Sequence, residues 1–233
     1  ITEKEAAEQM RREFSANVSH ELKTPLQSIS GYAEIIKGGL VKAEDIPRFV
    51  DKIYQEAQRL IALVEDIIRL SRLDEGEIGL QKEAVSLLPL VQEVAARLEP
   101  EAAKRDIQIR ICGTDHSVWG VRSILEEMLY NLCENGIKYN REHGWLEIEV
   151  AKEPDAIRLS VRDSGIGIPP QHQARVFERF YRVDKSHSKE TGGTGLGLSI
   201  VKHGAMFHGA KVELLSEEGK GTTIQLCFPK PNR

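Results

Sequence analysis

Wound at about 100° per residue, the first third of the chain carries two apolar stripes. Leu22, Leu26, Ile29, Ala33 and Ile36 share one face of a first helix, and Ile46, Phe49, Ile53, Ala57, Leu60, Val64 and Ile67 share one face of a second. Gly38-Gly39 predicts the end of the first helix, and Asp45, before Ile46-Pro47, a cap for the second. So short a link makes the helices antiparallel neighbours. A lone hairpin leaves both stripes uncovered, and pairing with a second copy into a four-helix bundle is the expected remedy. Two glycines, Gly76 and Gly79, then break the helical period over residues 76–85, which reads as a hinge. Beyond it, helices are expected over 87–98, 121–139 and 198–207. Strands are expected over 107–111, 146–150, 157–161, 212–215 and 222–228. Strand pairs without regular βαβ spacing predict a two-layer α/β sandwich rather than a doubly wound sheet.

Composition narrows the class. A length of 233 residues allows one large domain or two ordinary ones, and the two patterns divide it into two. The formal net charge of −4 argues against a sequence-independent nucleic-acid binder. No apolar run approaches the roughly 18 residues of a membrane span, so no membrane contact is expected within these residues. The chain opens on Ile1 with no leader pattern, which reads as a piece of something longer. Cys112, Cys133 and Cys227 are odd in number and far apart, fitting neither a zinc site nor a disulfide framework.

Four local patterns carry candidate chemistry. In Ser19-His20-Glu21-Leu22-Lys23-Thr24-Pro25-Leu26, His20 lies about 160° from the apolar stripe, with Thr24 one turn along on the same outer face. An exposed imidazole is mostly neutral at pH 7 and nucleophilic, and a carboxylate such as Glu21 can take its Nδ1 proton as Nε2 attacks. Pro25 removes one helical hydrogen bond and predicts a bend, not a stop. The second pattern is Asn131, Asn135 and Lys138, at i, i+4 and i+7 on one helix face, with Leu125, Met128, Leu129 and Leu132 opposite. Two amide oxygens and an ammonium in a row suit hydrated Mg2+ and the phosphates it bridges. An ordinary polar helix face explains the same row as well.

The third is Asp163-Ser164-Gly165-Ile166-Gly167, just after a strand, where an acceptor can select an exocyclic amine and the glycines admit a flat base. A bare Asp-Ser-Gly is more often a turn. The fourth is Gly192-Gly193-Thr194-Gly195-Leu196-Gly197, running into a helix, where backbone N–H groups can cradle phosphate. It is neither a Walker A loop nor a dinucleotide fingerprint. Between the last two lie Phe177-Glu178-Arg179-Phe180-Tyr181-Arg182 and a charge-rich run from Asp184 to Thr191 that reads as a lid anchored by aromatics.

Together and in this order, the patterns resemble the sensor histidine kinases of two-component signalling. Phe14 to Leu26 is similar to the family's H box, Asn131 to Tyr139 to its N box, and Asp163 to Ile168 to its G1 box. Phe177 to Tyr181 is similar to the F box, Gly193 to Leu198 to the G2 box, and Gly219 to Thr223 to the closing glycine-threonine strand. Gly136, Ala210 and Ile224 stand where Ala, Gly and Phe are usual, and none of them removes a reactive group. The stretch from Phe177 to Lys202 looks most like the phosphate-sensing and cell-wall-sensing branches.

The resemblance implies a plan. Residues 1–9 end an upstream linker helix, 10–75 form the dimerisation and phosphotransfer hairpin, 76–82 a hinge, and 83–230 an ATP-binding sandwich of the Bergerat type. ATP would meet Asn131, Asn135, Lys138, Tyr139, Asp163, Gly165, Gly167, Arg182, Gly193, Thr194, Gly195, Leu196, Gly197 and Thr222. Mg2+ would rest on Asn135, with Asp163 reading adenine. His20 would take the γ-phosphoryl group, assisted by Glu21, and pass it to an aspartate of a response regulator. Thr24 would serve removal of phosphate from that regulator. The implied whole is a homodimer, a cytoplasmic piece of a protein held in the cell membrane. Two rivals remain. Chaperone and type II topoisomerase ATPases share the fold, but place a Glu one turn before the metal-binding Asn, where this chain has Asn131. A non-enzymatic nucleotide-binding scaffold is the other, and the His20-Glu21 pair argues against it.

Overall fold

The computed structural model describes residues 3–74, 80–183 and 193–230. Residues 76–79 of the expected hinge and the polar run of the expected lid, 184–191, lie outside the described residues. The chain divides into two compact units, residues 1–69 with 192–194, and residues 70–191 with 195–233.

The first unit is a helical hairpin. Helix α1 (Glu3–Lys37) continues through Pro25. The hydroxyls of Ser19, Thr24 and Ser28 donate to the carbonyls of Ser15, His20 and Thr24, four residues back, at 3.0–3.2 Å. The helix ends at Gly38-Gly39 as the pattern predicts. Gly39 has φ +68°, and Gly39 N–H and Leu40 N–H donate to the carbonyls of Ile36 and Ile35, a glycine-dependent C-terminal motif. The start of α2 (Ile46–Asp74) differs from expectation. Asp45 is the last residue of a 3-10 turn, Ala43–Asp45, that runs straight into α2, so a tightened turn stands where a side-chain cap was expected. Tyr32 meets Phe49 edge-on with centroids 5.8 Å apart, and the Lys52 ammonium lies over the Tyr32 ring, joining the two helices near their link.

One hairpin covers only part of the apolar surface. Ile46, Val50, Tyr54, Ile61, Val64 and Ile68 are 36% to 61% exposed. At the helical period all six fall within about 80° of one another, beside the arc that holds Phe49, Ile53 and Ile67. Leu26 of α1 is likewise half-exposed.

The second unit is a two-layer sandwich, as expected. Its five-stranded sheet comprises β2 (Gln108–Gly113), β4 (Trp145–Lys152), β5 (Ala156–Asp163), β6 (Lys211–Glu217) and β7 (Gly221–Pro229), in the order β2-β4-β5-β7-β6. Only β2 and β4 run parallel. Leu146, Ile148 and Val150 on β4, Leu159 and Val161 on β5, and Ile224, Leu226 and Phe228 on β7 are buried, alternating with more exposed residues. That alternation belongs to a sheet covered on one face. Helices α3 (Leu87–Ala103), α4 (Arg122–Lys138) and α6 (Gly197–Phe207) supply the apolar cover, through Leu90, Val94, Leu125, Met128, Leu129, Ile200 and Val201. Helix α3 runs a turn beyond the expected Leu98, past Pro100, because Ala102 is buried and anchors the last turn.

The pattern reading missed three short elements: β1 (Glu83–Ser86) and β3 (Ser117–Gly120), which pair antiparallel, and the single turn α5 (Pro170–Gln173). In β1 only Val85 is buried, so the strand holds too few apolar positions to show a period.

One buried polar side chain locks α6 to the start of α4. His208 is 6% exposed, accepts the Val121 N–H at Nε2 (3.0 Å) and donates from Nδ1 to the Gly204 carbonyl (2.7 Å). These partners require the neutral ring, and burial pulls its pKa below the ordinary histidine value. Unfolded chain therefore takes up the proton first as pH falls. The His208 contribution is complete above about pH 6.5 and fades below it. Replacing His208 by Ala is expected to cost about 2 kcal/mol at pH 7.5. The loss should be smaller at pH 5.5, measured by urea unfolding, whereas an equal loss at both values would remove the neutral-ring role.

Candidate functional site

The site in the second unit is built on α4. Its apolar face is sealed against the sheet, with Met128, Leu129, Leu132 and Ile137 buried, so the other face carries the polar row. Asn135 and Lys138 are half-exposed there. Asn131 is more enclosed than a surface row implies, at 8% exposure. Its Nδ2 donates to the Glu127 carbonyl (2.9 Å), and its Oδ1 lies so close to Gly197 that a Cβ at Gly197 would come within 2.6 Å. The N box and the first residue of α6 are thus fitted to each other. Tyr139 closes the row; burial raises its hydroxyl pKa, and the charge of Arg182 opposes that shift, which places Arg182 near it. The Lys138 ammonium lies 5.6 Å from the Tyr139 ring centre.

Asp163 ends β5 at the edge of this face. Its Oδ1 accepts two backbone N–H groups, from Gly165 (2.8 Å) and Thr222 (3.2 Å), which leaves Oδ2 for a ligand. Burial pushes its pKa up to about 6, against those two hydrogen bonds. The glycines nearby are dictated by close backbone approach. A Cβ on Gly165 would lie 2.3 Å from the Tyr139 carbonyl oxygen, and Gly221, at φ +106°, has the Asp163 carbonyl oxygen where its Cβ would be. Gly167, at φ +68°, faces the Glu217 carbonyl in the same way. Ser216 Oγ bonds Thr222 Oγ1 (2.8 Å) and accepts the Ile168 N–H, and Gln173 Nε2 donates to the carbonyls of Ile168 and Ser216. A cleft of about 470 Å3, lined by Asp163, Gln173, Leu214, Ser216 and Thr222 among others, opens beside this network.

At the start of α6, Gly195 has φ +75°, and its carbonyl accepts the Phe180 N–H (2.9 Å). Phe180 itself holds φ +63°, a strained value for an aromatic residue. This ties the F box to the glycine loop. Among the described residues no side-chain cap bond is made at Leu196, before the N–H groups of α6 that are expected to meet phosphate. Leu196 is fully buried, so it contributes backbone and packing rather than a side-chain contact. Gly193 and Thr194 group with the helical unit.

In the first unit His20 is exposed on α1, Glu21 beside it is half-buried, and Thr24 is exposed. The Thr24 hydroxyl donates to the His20 carbonyl (3.2 Å), so its proton is engaged within the helix and its lone pairs face outward.

The chain matches two family profiles. The family "His Kinase A (phospho-acceptor) domain" covers residues 10–76, and "Histidine kinase-, DNA gyrase B-, and HSP90-like ATPase" covers residues 120–232. Over 98% of its length the chain is 38% identical to "Sensor histidine kinase WalK" of Bacillus subtilis. Over 96% it is 39% identical to "Sensor-like histidine kinase SenX3" of Mycolicibacterium smegmatis. The chain belongs to the histidine kinases. It spans 38% of the length of that WalK and 58% of that SenX3. The fold is that of the kinase AdeS of Acinetobacter baumannii (TM-score 0.75, 22% identity, 91% of this chain and 98% of that one). It is also that of the kinase ThkA, solved in complex with the response regulator protein TrrA (TM-score 0.76, 23% identity, 98% and 64%). No helix among the described residues is long and apolar enough to cross a membrane.

Residues absent from the sequence reading turn out to hold this site together: Arg105, Asn140, Gln173 and Ser216. None belongs to a recognisable motif, and only Asn140, directly after the N box, carried any positional signal.

The desolvated Asp163 has a stability consequence. Its folded pKa lies above the ordinary value of 3.8, so the ionised form is penalised above about pH 6 and the penalty fades toward pH 4. Asp163→Asn keeps the shape and removes the charge. The variant is expected to melt roughly 5 °C higher at pH 7.5, with the gain shrinking toward pH 4.5, while ATP binding falls at least about tenfold. Scanning calorimetry and nucleotide titration on one sample check both signs, and a lower melting temperature at pH 7.5 would contradict the account.

Proposed function

We propose that the chain phosphorylates its own His20 from ATP and passes the group to an aspartate on a response-regulator receiver domain. The observation that carries this reading is an exposed imidazole on the matched phospho-acceptor helix, in one chain with a matched ATPase domain whose residue one turn before Asn135 is the amide Asn131 and not a carboxylate. In the transfer, His20 Nε2 forms a bond to the γ-phosphorus, the bond from that phosphorus to the β,γ-bridging oxygen breaks, and ADP leaves. The Nδ1 proton goes to a carboxylate, for which Glu21 is the neighbour in the chain. Hydrolysis by the same fold would need a proton acceptor at the Asn131 position. An amide is no base, and this one is buried against Gly197.

The nucleotide would lie on the α4 face. The adenine amine would donate to Asp163 Oδ2, Gly165 and Gly167 would leave room for the flat ring, and Lys138, Tyr139, Arg182 and Thr222 would border it. The backbone of Gly193, Thr194, Gly195, Leu196 and Gly197 would meet the phosphates. Among the described residues no cluster of three or more His, Cys, Asp or Glu side chains is placed to hold a metal. A single amide oxygen from Asn135, completed by phosphate and water oxygens, suits Mg2+, which keeps most of its waters and neutralises phosphate charge when bound. Thr24 would orient a water, through its outward lone pairs, for removing phosphate from the regulator.

His20→Gln should abolish the acid-labile, base-stable label that the wild type acquires from γ-labelled ATP, and Asn135→Ala should reduce it at least about a hundredfold with the fold intact. With phosphorylated regulator and ADP, Thr24→Ala should lose regulator dephosphorylation and keep autophosphorylation. Wild-type labelling of the Gln variant would overturn the nucleophile.

The uncovered α2 row supports a homodimer, because a second copy would cover it in a four-helix bundle. Sedimentation at micromolar concentration should give a dimer for the wild type and a monomer for Val50→Glu combined with Ile61→Glu. A wild-type monomer would remove the bundle.

A further inference from the structure

Arg105 lies in the turn between α3 and β2, far in sequence from any nucleotide motif, and its side chain is half-buried. Its Nη1 donates to the carbonyls of Ile137 (2.7 Å) and Lys138 (2.6 Å), and its Nη2 donates to the carbonyl of Asn140 (2.9 Å). The first two carbonyls belong to the last turn of α4, where no amide four residues on completes the helix ladder, although the Asn140 N–H also reaches Ile137 (3.2 Å), and the third lies two residues beyond the helix. A cation there also meets the negative end of the helix dipole. A planar guanidinium serves several acceptors in a fixed fork, which an ammonium on a flexible stem does not.

The turn that presents Arg105 is itself braced. Asp106 follows at φ +54°, its carboxylate bonds His143 Nδ1 (2.6 Å), and His143 N–H donates to the Arg105 carbonyl (3.4 Å). On the far side, the last turn of α4 is joined to the Asp163 loop. Ile166 N–H donates to the Tyr139 carbonyl (3.0 Å). Asn140 Nδ2 donates to the carbonyls of Gly136 and Trp145, and its Oδ1 accepts the Ser164 hydroxyl (3.1 Å). Lys138, Tyr139 and the segment from Asp163 to Ile166 are therefore one hydrogen-bonded block, and Arg105 is the charged group that holds it.

We propose that Arg105 is a positioning residue for the adenosine end of the nucleotide site. It sets the spacing between Tyr139 and Asp163 without touching the nucleotide. This rests on the reading that ATP binds on the α4 face. Loosening the block weakens contacts made equally in the ground state and the transition state, so the effect falls on KM and not on the maximal rate.

The test compares full-chain wild type with Arg105→Lys and Arg105→Met, at temperatures where circular dichroism shows each variant folded. The ATP dependence of the initial autophosphorylation rate and equilibrium binding of a fluorescent ATP analogue are measured together. Arg105→Met should raise the ATP KM and the analogue Kd roughly tenfold, with a maximal rate within about threefold of wild type. Arg105→Lys should fall between the two, and both should lose preference for ATP over GTP. If Arg105→Met does not fold, the Lys variant alone decides by its KM and its preference. Wild-type KM and Kd in the folded variants, or a fallen maximal rate at unchanged KM, would overturn the proposal. The binding arm stands apart from catalysis, so a wild-type chain that binds the analogue yet never acquires label would count against the kinase reading and not against Arg105.

Discussion

The constraint on which the second unit depends is the end of α4. A helix that stops inside a protein leaves its last carbonyls needing donors, and here five consecutive ones, Gly136 to Lys138 in the last turn and Tyr139 and Asn140 just beyond it, receive them from side chains or loop backbone. The donors are Asn140, Arg105 and Ile166, which belong to three different segments. Satisfying the helix end therefore draws the α3–β2 turn, the start of β4 and the Asp163 loop to one place. The polar row from Asn131 to Tyr139 acquires a fixed partner across from it in Asp163, and a helix terminus becomes one wall of a site.

The same crowding accounts for the glycines. Gly165 faces the Tyr139 carbonyl and Gly221 the Asp163 carbonyl, each a backbone atom at a separation no Cβ tolerates. It also accounts for the charge state of Asp163. The loop that brings it to α4 removes it from water, and two backbone amides on Oδ1 only partly offset that loss. A carboxylate held this way is costly to the fold, and the proposed adenine contact would trade that stability for recognition.

Long periodic elements were legible in the amino-acid sequence. The stripes of the hairpin, the faces of α4 and the alternation in β4, β5 and β7 follow from burial on one side, which leaves a period. The candidate groups were legible for a different reason: Asn135 and Asp163 sit beside glycines in short runs, and His20 falls on the helix face away from the apolar stripe. Short strands such as β1 were not, because one buried valine makes no pattern. Nor were the braces of the site, because Arg105 and Ser216 act across the fold through backbone carbonyls and hydroxyls, which leave no spacing to read. Leu26 and Val64, placed on core stripes by periodicity, stay half-exposed in the single chain, and the pattern alone does not say whether the cover is one's own helix or a partner's.

The central claim is that the nucleotide site is assembled before nucleotide arrives, by the bonds that end α4. Amide hydrogen exchange in the nucleotide-free chain tests it most directly. The amides of Gly165, Ile166 and Thr222, bonded to Asp163 Oδ1 or the Tyr139 carbonyl, should exchange as slowly as those in the interior of α4, and should change little when ATP is added. Exchange of these amides at the rate of open loops in the empty protein, with protection appearing only on ATP addition, would show that the ligand builds the site and would contradict the account.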